Sequence, residues 1–148
     1  METTRRFVIH EHHARNLHFD LRLEIGGTLK SWAVPKGISL NPNDKRLAIE
    51  VPDHSLSYIN FEGTISEGSY GAGPVVIWDN GDYSTMGDAG EQLKSGRLNF
   101  VFHGKKLRGS FSLVRMKDRK GQWLVIKSRD EFADLNWELK TVLPPKAK

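Results

Sequence analysis

Residues 17–34 read LHFDLRLEIGGTLKSWAV, and this stretch decides the fold. Apolar and polar residues alternate from Leu17 to Ile25, which is the pattern of a half-buried β-strand with its leucines and Phe19 on one face. Gly26-Gly27 supplies the positive-φ positions of a tight turn, and Thr28 to Val34 returns as a second strand. The stretch therefore predicts an antiparallel hairpin with one apolar face.

Similar strand signals recur along the rest of the chain. They lie at Arg6–His10, Arg46–Val51, Tyr58–Ile65, Val75–Trp78, Arg97–His103, Ser110–Met116, Trp123–Lys127 and Trp137–Val142. Asn80-Gly81 predicts another hairpin turn, as does Arg119-Lys120-Gly121. Only Ala89–Lys94 predicts a helix, with one further helical turn at Asp130–Leu135. Many short strands between turns indicate a mostly β protein, an antiparallel sandwich or barrel with one or two short accessory helices.

Length and composition predict one domain across residues 1–148, with an ordered core from about 6 to 142 and tails at 1–5 and 143–148. The net charge of +4 owes much to the tails, so a nucleic-acid site must be a local cluster. The absence of cysteine excludes disulfides and thiolate ligands and fits a reducing compartment. No segment predicts a signal peptide or a membrane span, so we expect a cytoplasmic protein without membrane contact, and a monomer.

The polar face of the first predicted strand presents His18, Asp20 and Arg22 in a row. Positions i and i+2 of a strand lie roughly 6.5 to 7 Å apart on one face, so His18 and Asp20 could share a metal ion. A third ligand would come from His10, His12 or His13, just upstream, and the pattern does not choose among them. Such a site keeps open coordination positions, as catalytic metal sites do.

Arg22 beside a metal forms a natural receptor for phosphate, because a cation polarises one oxygen while the guanidinium binds others. Lys36, Arg46, His54 and Tyr58 are further candidates for such a site. The glycine-rich segment 67–73, EGSYGAG, lacks the Lys-Ser/Thr pair of a P-loop, and we predict a structural loop with positive-φ turns there.

Several ordered motifs carry a family resemblance: HEHHARNLHFDLRLE from residue 10, LKSWAVPKG from 29, KRLA from 45, DHSLSY from 53, FEGTISEGSYGAG from 61 and WLVIK from 123. The chain resembles, from about Arg6 to Arg129, the phosphoesterase domain of bacterial DNA ligase D, which also occurs free-standing. The resemblance implies a single-domain antiparallel β-barrel whose active site lies in a groove on the outer surface.

The resemblance also implies a manganese-dependent repair activity at nucleic-acid 3′ ends, with Co2+ or Zn2+ as other compatible ions. Enzymes of this family remove a terminal 3′-ribonucleoside by phosphodiester cleavage and then the 3′-phosphate, which leaves a 3′-hydroxyl for ligation. The implied substrates are DNA or RNA-tailed DNA 3′ ends at primer–template junctions. A DNA ligase, a repair polymerase and the end-binding protein Ku are the implied functional neighbours.

The resemblance assigns roles to residues as well. The metal ligands fall on His12, His18 and Asp20. The catalytic and phosphate-binding residues fall on Arg22, His54 and Tyr58, while Lys36 and Arg46 match basic residues that assist phosphate removal. We expect Arg22 to neutralise phosphate charge, His54 to stabilise the transition state or protonate the leaving oxygen, and Tyr58 and Lys36 to orient the non-bridging oxygens.

The sequence departs from the family pattern in two places. Many relatives have Gln where His10 stands, so His10 is expected either to compete as a ligand or to contact the residues around the metal. The ligase fusions carry a longer segment before the first predicted strand, where only Met1 to Arg5 precede Arg6 here. We expect ribonucleoside removal to depend on that segment more than phosphate removal does.

Two other function classes remain open at the level of sequence. A non-haem iron oxygenase would pair His18 and Asp20 with a distant histidine such as His103, and would tolerate loss of His12. A non-catalytic nucleic-acid-binding barrel would show salt-dependent binding without metal dependence or turnover.

Overall fold

In the computed structural model, which describes residues 1–66 and 71–144, the strands form one antiparallel sheet that closes into a barrel. The strands are β1 (Glu2–His13), β2 (Leu17–Ile25), β3 (Thr28–Val34), β4 (Arg46–His54), β5 (Gly63–Ile65), β6 (Gly73–Met86), β7 (Arg97–Gly104), β8 (Arg108–Arg115) and β9 (Gln122–Lys127). The helices are a 3₁₀ helix, Leu56–Asn60, and α1, Ala89–Ser95. The predicted mostly β, single-domain barrel with short accessory helices is confirmed.

Closure of the barrel depends on the two longest strands. The sheet order is β1-β2-β3-β4-β9-β8-β7-β6-β5, and β1 also pairs with β6, so eight strands form the barrel while β5 extends β6 outside it. The β1–β6 register shifts between Ile9 and His10, where β6 contributes one extra residue. A bulge of this kind bends and twists a strand, which helps a sheet to close.

The predicted apolar face of β2 lies inside the barrel. Phe19, Leu21 and Leu23 are buried in the main core with Trp32 of β3 and Phe111 of β8. Because side chains alternate across a strand, the polar residues of β2 must face outward. The barrel interior thereby anchors one side of the strand and leaves the other side for chemistry.

A second, smaller apolar cluster lies on the outer face of the barrel. Val8 of β1 and Leu29 of β3 pack there against Ile59 of the 3₁₀ helix, with Leu56 and Tyr58 at the margin. Packing in this cluster holds the 3₁₀ helix against β1 and β3, beside the polar face of β2.

The turn predicted at Asn80-Gly81 is wrong, because β6 passes straight through it. Residues 79–82 of β6 pair with β1, and from Gly81 onward β6 also pairs with β7. A Cβ on Gly81 would lie 2.4 Å from the His103 carbonyl oxygen, so a glycine is needed for β6 and β7 to approach this closely. An Asn-Gly pair predicts a hairpin turn only where the chain reverses direction. Here β1 and β7 pair with the two sides of β6, so the backbone stays extended.

Three other predicted elements are also corrected. The strand predicted at Tyr58–Ile65 is a 3₁₀ helix followed by the short β5, because Leu56 and Ile59, one 3₁₀ turn apart, pack on the outer cluster. The segment predicted as a strand at Trp137–Val142 forms none, because side chains satisfy its backbone: Trp78 donates to the Lys140 carbonyl and Glu11 accepts from the Val142 amide. Residues 130–135 form turns rather than a helical turn.

Other local predictions are confirmed. Gly26 and Gly27, with φ of 63° and 82°, connect β2 to β3, and Gly121 (φ 76°) ends the turn before β9. The helix α1 begins after Asp88, whose carboxylate accepts from the Glu91 amide, as an N-cap does. The predicted loop at 67–73 falls largely on residues 67–70, outside the described residues. In residues 1–66 and 71–144, no helix reaches the length and hydropathy that crossing a membrane requires.

Candidate metal and phosphate site

The polar face of β2 carries the row of residues that the sequence singled out. His18, Asp20 and Arg22 point away from the core, but Asp20 is only 6% exposed and Arg22 only 3%. A carboxylate and a guanidinium are costly to bury unless each has a partner, so this row has defined contacts.

β1 supplies the third member of a ligand cluster. His12 lies directly opposite His18 in the β1–β2 register, and His10 lies opposite Asp20. His12 Nδ1 is 3.5 Å from Asp20 Oδ2, and His18 Nε2 is 3.3 Å from Asp20 Oδ1. One donor atom from each of these three residues lies within 4.8 Å of the other two, so the three can share one ion.

In His12 and His18, one ring nitrogen faces Asp20 and the other bonds a backbone carbonyl, which determines the tautomer of the neutral ring. His12 Nε2 donates to the Gly71 carbonyl at 2.5 Å, and His18 Nδ1 donates to the Asn16 carbonyl at 3.1 Å. A carbonyl can only accept, so in neutral imidazoles the lone pairs of His12 Nδ1 and His18 Nε2 point at the carboxylate. Three acceptors that converge in this way need a cation or a proton between them, and histidine metal ligands commonly donate their other N–H to a carbonyl.

The close approach of these groups shifts the pKa values of Asp20 and His18. Burial alone would raise the pKa of Asp20, but it is more than offset by the hydrogen bonds that His12 Nδ1 and His18 Nε2 donate when their rings are protonated, together with the nearby Arg22 charge, and that pKa lies well below its usual range. The hydrogen bond to Asp20 raises the pKa of His18. Asp20 is therefore an anion under all ordinary conditions, as a hard metal ligand must be.

Arg22 is held from three directions. Its Nε donates to His10 Nδ1 at 2.9 Å, Nη1 donates to Ser31 Oγ at 2.9 Å, and Nη2 donates to Asp20 Oδ2 at 3.2 Å. A guanidinium has five N–H groups, so one on each terminal nitrogen is left after these three contacts within the described part of the chain. That pair can serve an anionic oxygen next to the ligand cluster.

The 3₁₀ helix and the end of β4 place two candidate residues beside Arg22. Arg22 lies 5.0 Å from the Tyr58 ring centroid, and the His54 and Tyr58 rings stack at 4.4 Å. The β3–β4 register shifts between Leu29 and Ser31, which places His54, the last residue of β4, opposite Leu29. Burial, with the Arg22 charge second, lowers the pKa of His54, and burial raises that of Tyr58. Both groups are therefore largely neutral near pH 7.

The structure separates the three upstream histidines that the pattern left open. His12 alone joins His18 and Asp20. His13 lies on the other side of β1, where its Nε2 donates to the buried Glu11 at 2.6 Å. His10 shares the face of His12, but Arg22 occupies its Nδ1 and the Phe61 carbonyl accepts from its Nε2 at 3.1 Å. Burial, with Arg22 second, lowers the pKa of His10 to about 4.

The described contacts do not join the other sequence candidates to the cluster. Lys36 is exposed in the turn after β3. Arg46 begins β4 on the same side as the core residue Ala48, and its Nη2 is 3.4 Å from Asp44. His103, the residue that an oxygenase would use, lies on β7 with Nε2 3.0 Å from Ser84 Oγ.

Sequence reasoning missed the residues that support the site through hydrogen bonds. Ser31 was detectable: a two-residue turn at Gly26-Gly27 sets the register of the hairpin, which places Ser31 opposite Arg22. The carbonyls of Asn16, Phe61 and Gly71 were not, because a backbone acceptor leaves no trace in residue type.

An outward-facing set of two imidazoles and a carboxylate, with a buried guanidinium beside it, is the arrangement expected in a class of proteins that bind a metal ion and an anion such as phosphate on the outside of a β-barrel. Residues 10–115 match the family model described as the DNA Ligase D 3′-phosphoesterase domain. The chain belongs to this family, and the resemblance seen in its motifs is confirmed.

Curated relatives agree with this assignment. The chain is 47% identical over 127 residues to the multifunctional non-homologous end joining protein LigD of Pseudomonas aeruginosa, covering 84% of the chain and 15% of the relative. It is 42% identical over 132 residues to the protein of that name from Mycolicibacterium smegmatis (85% and 17%). It is 40% identical over 138 residues to the LigD repair protein of Mycobacterium tuberculosis (93% and 18%). The chain thus spans less than a fifth of the length of these relatives.

Proposed function

We propose that this protein heals DNA 3′ ends in two steps, removing a terminal 3′-ribonucleoside and then the remaining 3′-phosphate, so that a 3′-hydroxyl is ready for ligation. The observation that carries the proposal is the convergence of His12 Nδ1, His18 Nε2 and the Asp20 carboxylate beside the N–H groups of Arg22. Family membership supports phosphoester hydrolysis as the chemistry. The substrates would be DNA or RNA-tailed DNA ends at primer–template junctions.

His12, His18 and Asp20 would hold a divalent cation, for which we propose Mn2+. Two nitrogens and one carboxylate oxygen suit Mn2+, Co2+ or Zn2+, and the three residues leave other coordination positions open. When bound, such a cation supplies Lewis-acid neutralisation of phosphate charge.

The remaining residues act on the phosphate directly. The two remaining N–H groups of Arg22 would bind non-bridging oxygens, and the Tyr58 hydroxyl would donate to another. Water attacks phosphorus, the bond from phosphorus to the leaving oxygen breaks, and His54 donates a proton to that oxygen. The attacking water releases one proton to solvent, and His54 regains a proton from solvent, so the products are an alcohol and a phosphate. Lys36 and Arg46 enter as assisting residues from the family resemblance alone.

The test is a gel assay on 5′-labelled primer–template duplexes that end in one ribonucleotide or in a 3′-phosphate, with Mn2+, with other divalent ions, and with chelator. Metal-dependent conversion to a 3′-hydroxyl is expected, and loss of one contact such as His18→Ala should cost about 10²- to 10³-fold in rate. His103→Ala is the matched control, since its ring lies outside the cluster.

Each other outcome has a defined meaning. Salt-dependent duplex binding without turnover under any metal would support the binding-module alternative. Oxygen consumption that requires His103 but not His12 would support the oxygenase. Removal of the 3′-phosphate alone would restrict the proposal to its second step.

The relatives are multifunctional end-joining proteins, which supports a place for this chain in the same pathway. We therefore propose that its product is passed to a DNA ligase, and that a repair polymerase and Ku act on the same ends. Reconstituted joining of 3′-phosphate ends by ligase and Ku, with and without this protein, tests the order of these steps.

A further inference from the structure

His10 lies between the 3₁₀ helix region and the phosphate-binding arginine. Its Nε2 is 3.1 Å from the Phe61 carbonyl oxygen, and its Nδ1 is 2.9 Å from Arg22 Nε. The ring is fully buried and meets the Tyr58 ring edge-on at 5.2 Å. His10 therefore contacts two residues of the site without belonging to the ligand cluster.

The chemistry of its two partners leaves His10 a single state. A carbonyl can only accept and a guanidinium can only donate, so His10 must carry its proton on Nε2 and offer a lone pair at Nδ1. Flipping the ring or moving the proton to Nδ1 would break both hydrogen bonds, and a second proton would break the one from Arg22, in each case in a buried place. The ring is thus fixed in orientation as well as in position.

We propose that His10 is a positioning residue, which fixes the Arg22 guanidinium for phosphate by linking its Nε to the Phe61 carbonyl. Ser31 and Asp20 hold only the terminal nitrogens, and His10 supplies the third point that prevents the guanidinium from tilting. Phe61 acts on Tyr58 as well, because their rings stack at 4.6 Å. Phe61, which follows the 3₁₀ helix, therefore helps to orient both Arg22 and Tyr58.

This inference rests on the proposed function, and two variants of equal length test it. Glutamine at position 10 can accept from Arg22 and donate to Phe61, whereas methionine fills similar space and can do neither well. We expect His10→Met to lower kcat/KM for removal of a 3′-phosphate by about 10- to 100-fold, with His10→Gln falling at least about tenfold less. Mn2+ affinity by calorimetry should stay within about threefold of wild type in both variants.

A double-mutant cycle shows whether His10 acts through Arg22. In an Arg22→Ala background, His10→Met should cause no further loss, because the group that it positions is gone. An equal further loss in that background would overturn the proposal, as would full activity in His10→Met. A large drop in Mn2+ affinity would also overturn it, because His10 would then act at the metal.

A spectroscopic measurement on the wild type is independent of activity. Nitrogen-15 NMR should show His10 protonated at Nε2 and unprotonated at Nδ1, and the Arg22 Nε–H signal should shift in His10→Met. A proton on Nδ1, or an unchanged Arg22 signal, would contradict the proposal even in an active enzyme. If the wild type hydrolyses no 3′ end but shows these signals, the proposed function fails while the link from His10 to Arg22 stands.

Discussion

Arg22 is the residue on which the proposed phosphate binding depends, and its contacts require a guanidinium. Three hydrogen bonds in three directions use Nε, Nη1 and Nη2, and the lysine ammonium cannot reproduce that planar fork. We predict that Arg22→Lys lowers the rate of 3′-phosphate removal by about 100-fold or more, although the positive charge is kept. Quantified gel assays under saturating Mn2+ measure the effect.

The control for this variant is Arg97→Lys, because the Arg97 side chain lies on the surface and bonds only Asn99 and Ser112 among the described residues. Wild-type rates are expected there. Comparable rates for Arg22→Lys and Arg97→Lys would show that charge alone suffices and that the fork geometry has no role.

Because the pKa of His54 lies below the ordinary 6.5, the proposed role of this residue predicts how the reaction rate depends on pH. If protonated His54 donates to the leaving oxygen, kcat/KM must fall as pH rises through that lowered value, since this parameter reports the free enzyme. We expect this fall to be centred below pH 6.5 under saturating Mn2+, and to be absent in His54→Gln. A flat wild-type profile would leave His54 the role of a neutral hydrogen-bond donor.

At the level of elements, the 3₁₀ helix determines where His54 and Tyr58 meet Arg22. Ile59 is 6% exposed in the outer cluster, whereas Ile49, on the adjoining β4, is 38% exposed. Ile59→Ala should lower the free energy of unfolding by about 2–4 kcal/mol, and Ile49→Ala by less than about 1 kcal/mol. Urea denaturation measures both.

The two isoleucine variants should also differ in catalysis. A loosened 3₁₀ helix displaces Tyr58, so Ile59→Ala should reduce phosphate removal while Mn2+ affinity is unchanged, since His12, His18 and Asp20 lie on β1 and β2. Loss of Mn2+ binding in Ile59→Ala would mean that the helix supports the ligands as well.

Elements also show how far the sequence predicts this molecule. The β2–β3 hairpin and its two faces follow from local alternation and Gly26-Gly27, and so does the row from His18 to Arg22. Choosing His12 over His10 and His13 requires knowing how β1 pairs with β2. The local pattern does not show this pairing, and the family resemblance supplied the choice. The turn prediction at Asn80-Gly81 failed because the strands that pair with β6 there are distant in sequence. The strand prediction at 137–142 failed because the backbone of this segment bonds to Glu11 and Trp78, which no local pattern reveals.

For the whole molecule, the core and the site lie on opposite sides of one sheet. Phe19, Leu21 and Leu23 fill the interior, while the three proposed ligands project outward from β1 and β2. The barrel therefore needs no ion to bury its apolar residues, and its rigidity keeps the proposed catalytic groups in place. An ion should thus add stability to a protein that is already folded.

Melting curves with and without metal test this separation of core and site. At a Mn2+ concentration about 100 times the dissociation constant, binding adds about 2.7 kcal/mol, which raises Tm by about 5 to 10 °C for a chain of this size. His12→Ala should abolish most of that increase and leave the metal-free Tm nearly unchanged, because the core is intact. Unfolding of the wild type by chelator at room temperature would show instead that the ion holds β1 to β2, and that the site is structural before it is catalytic.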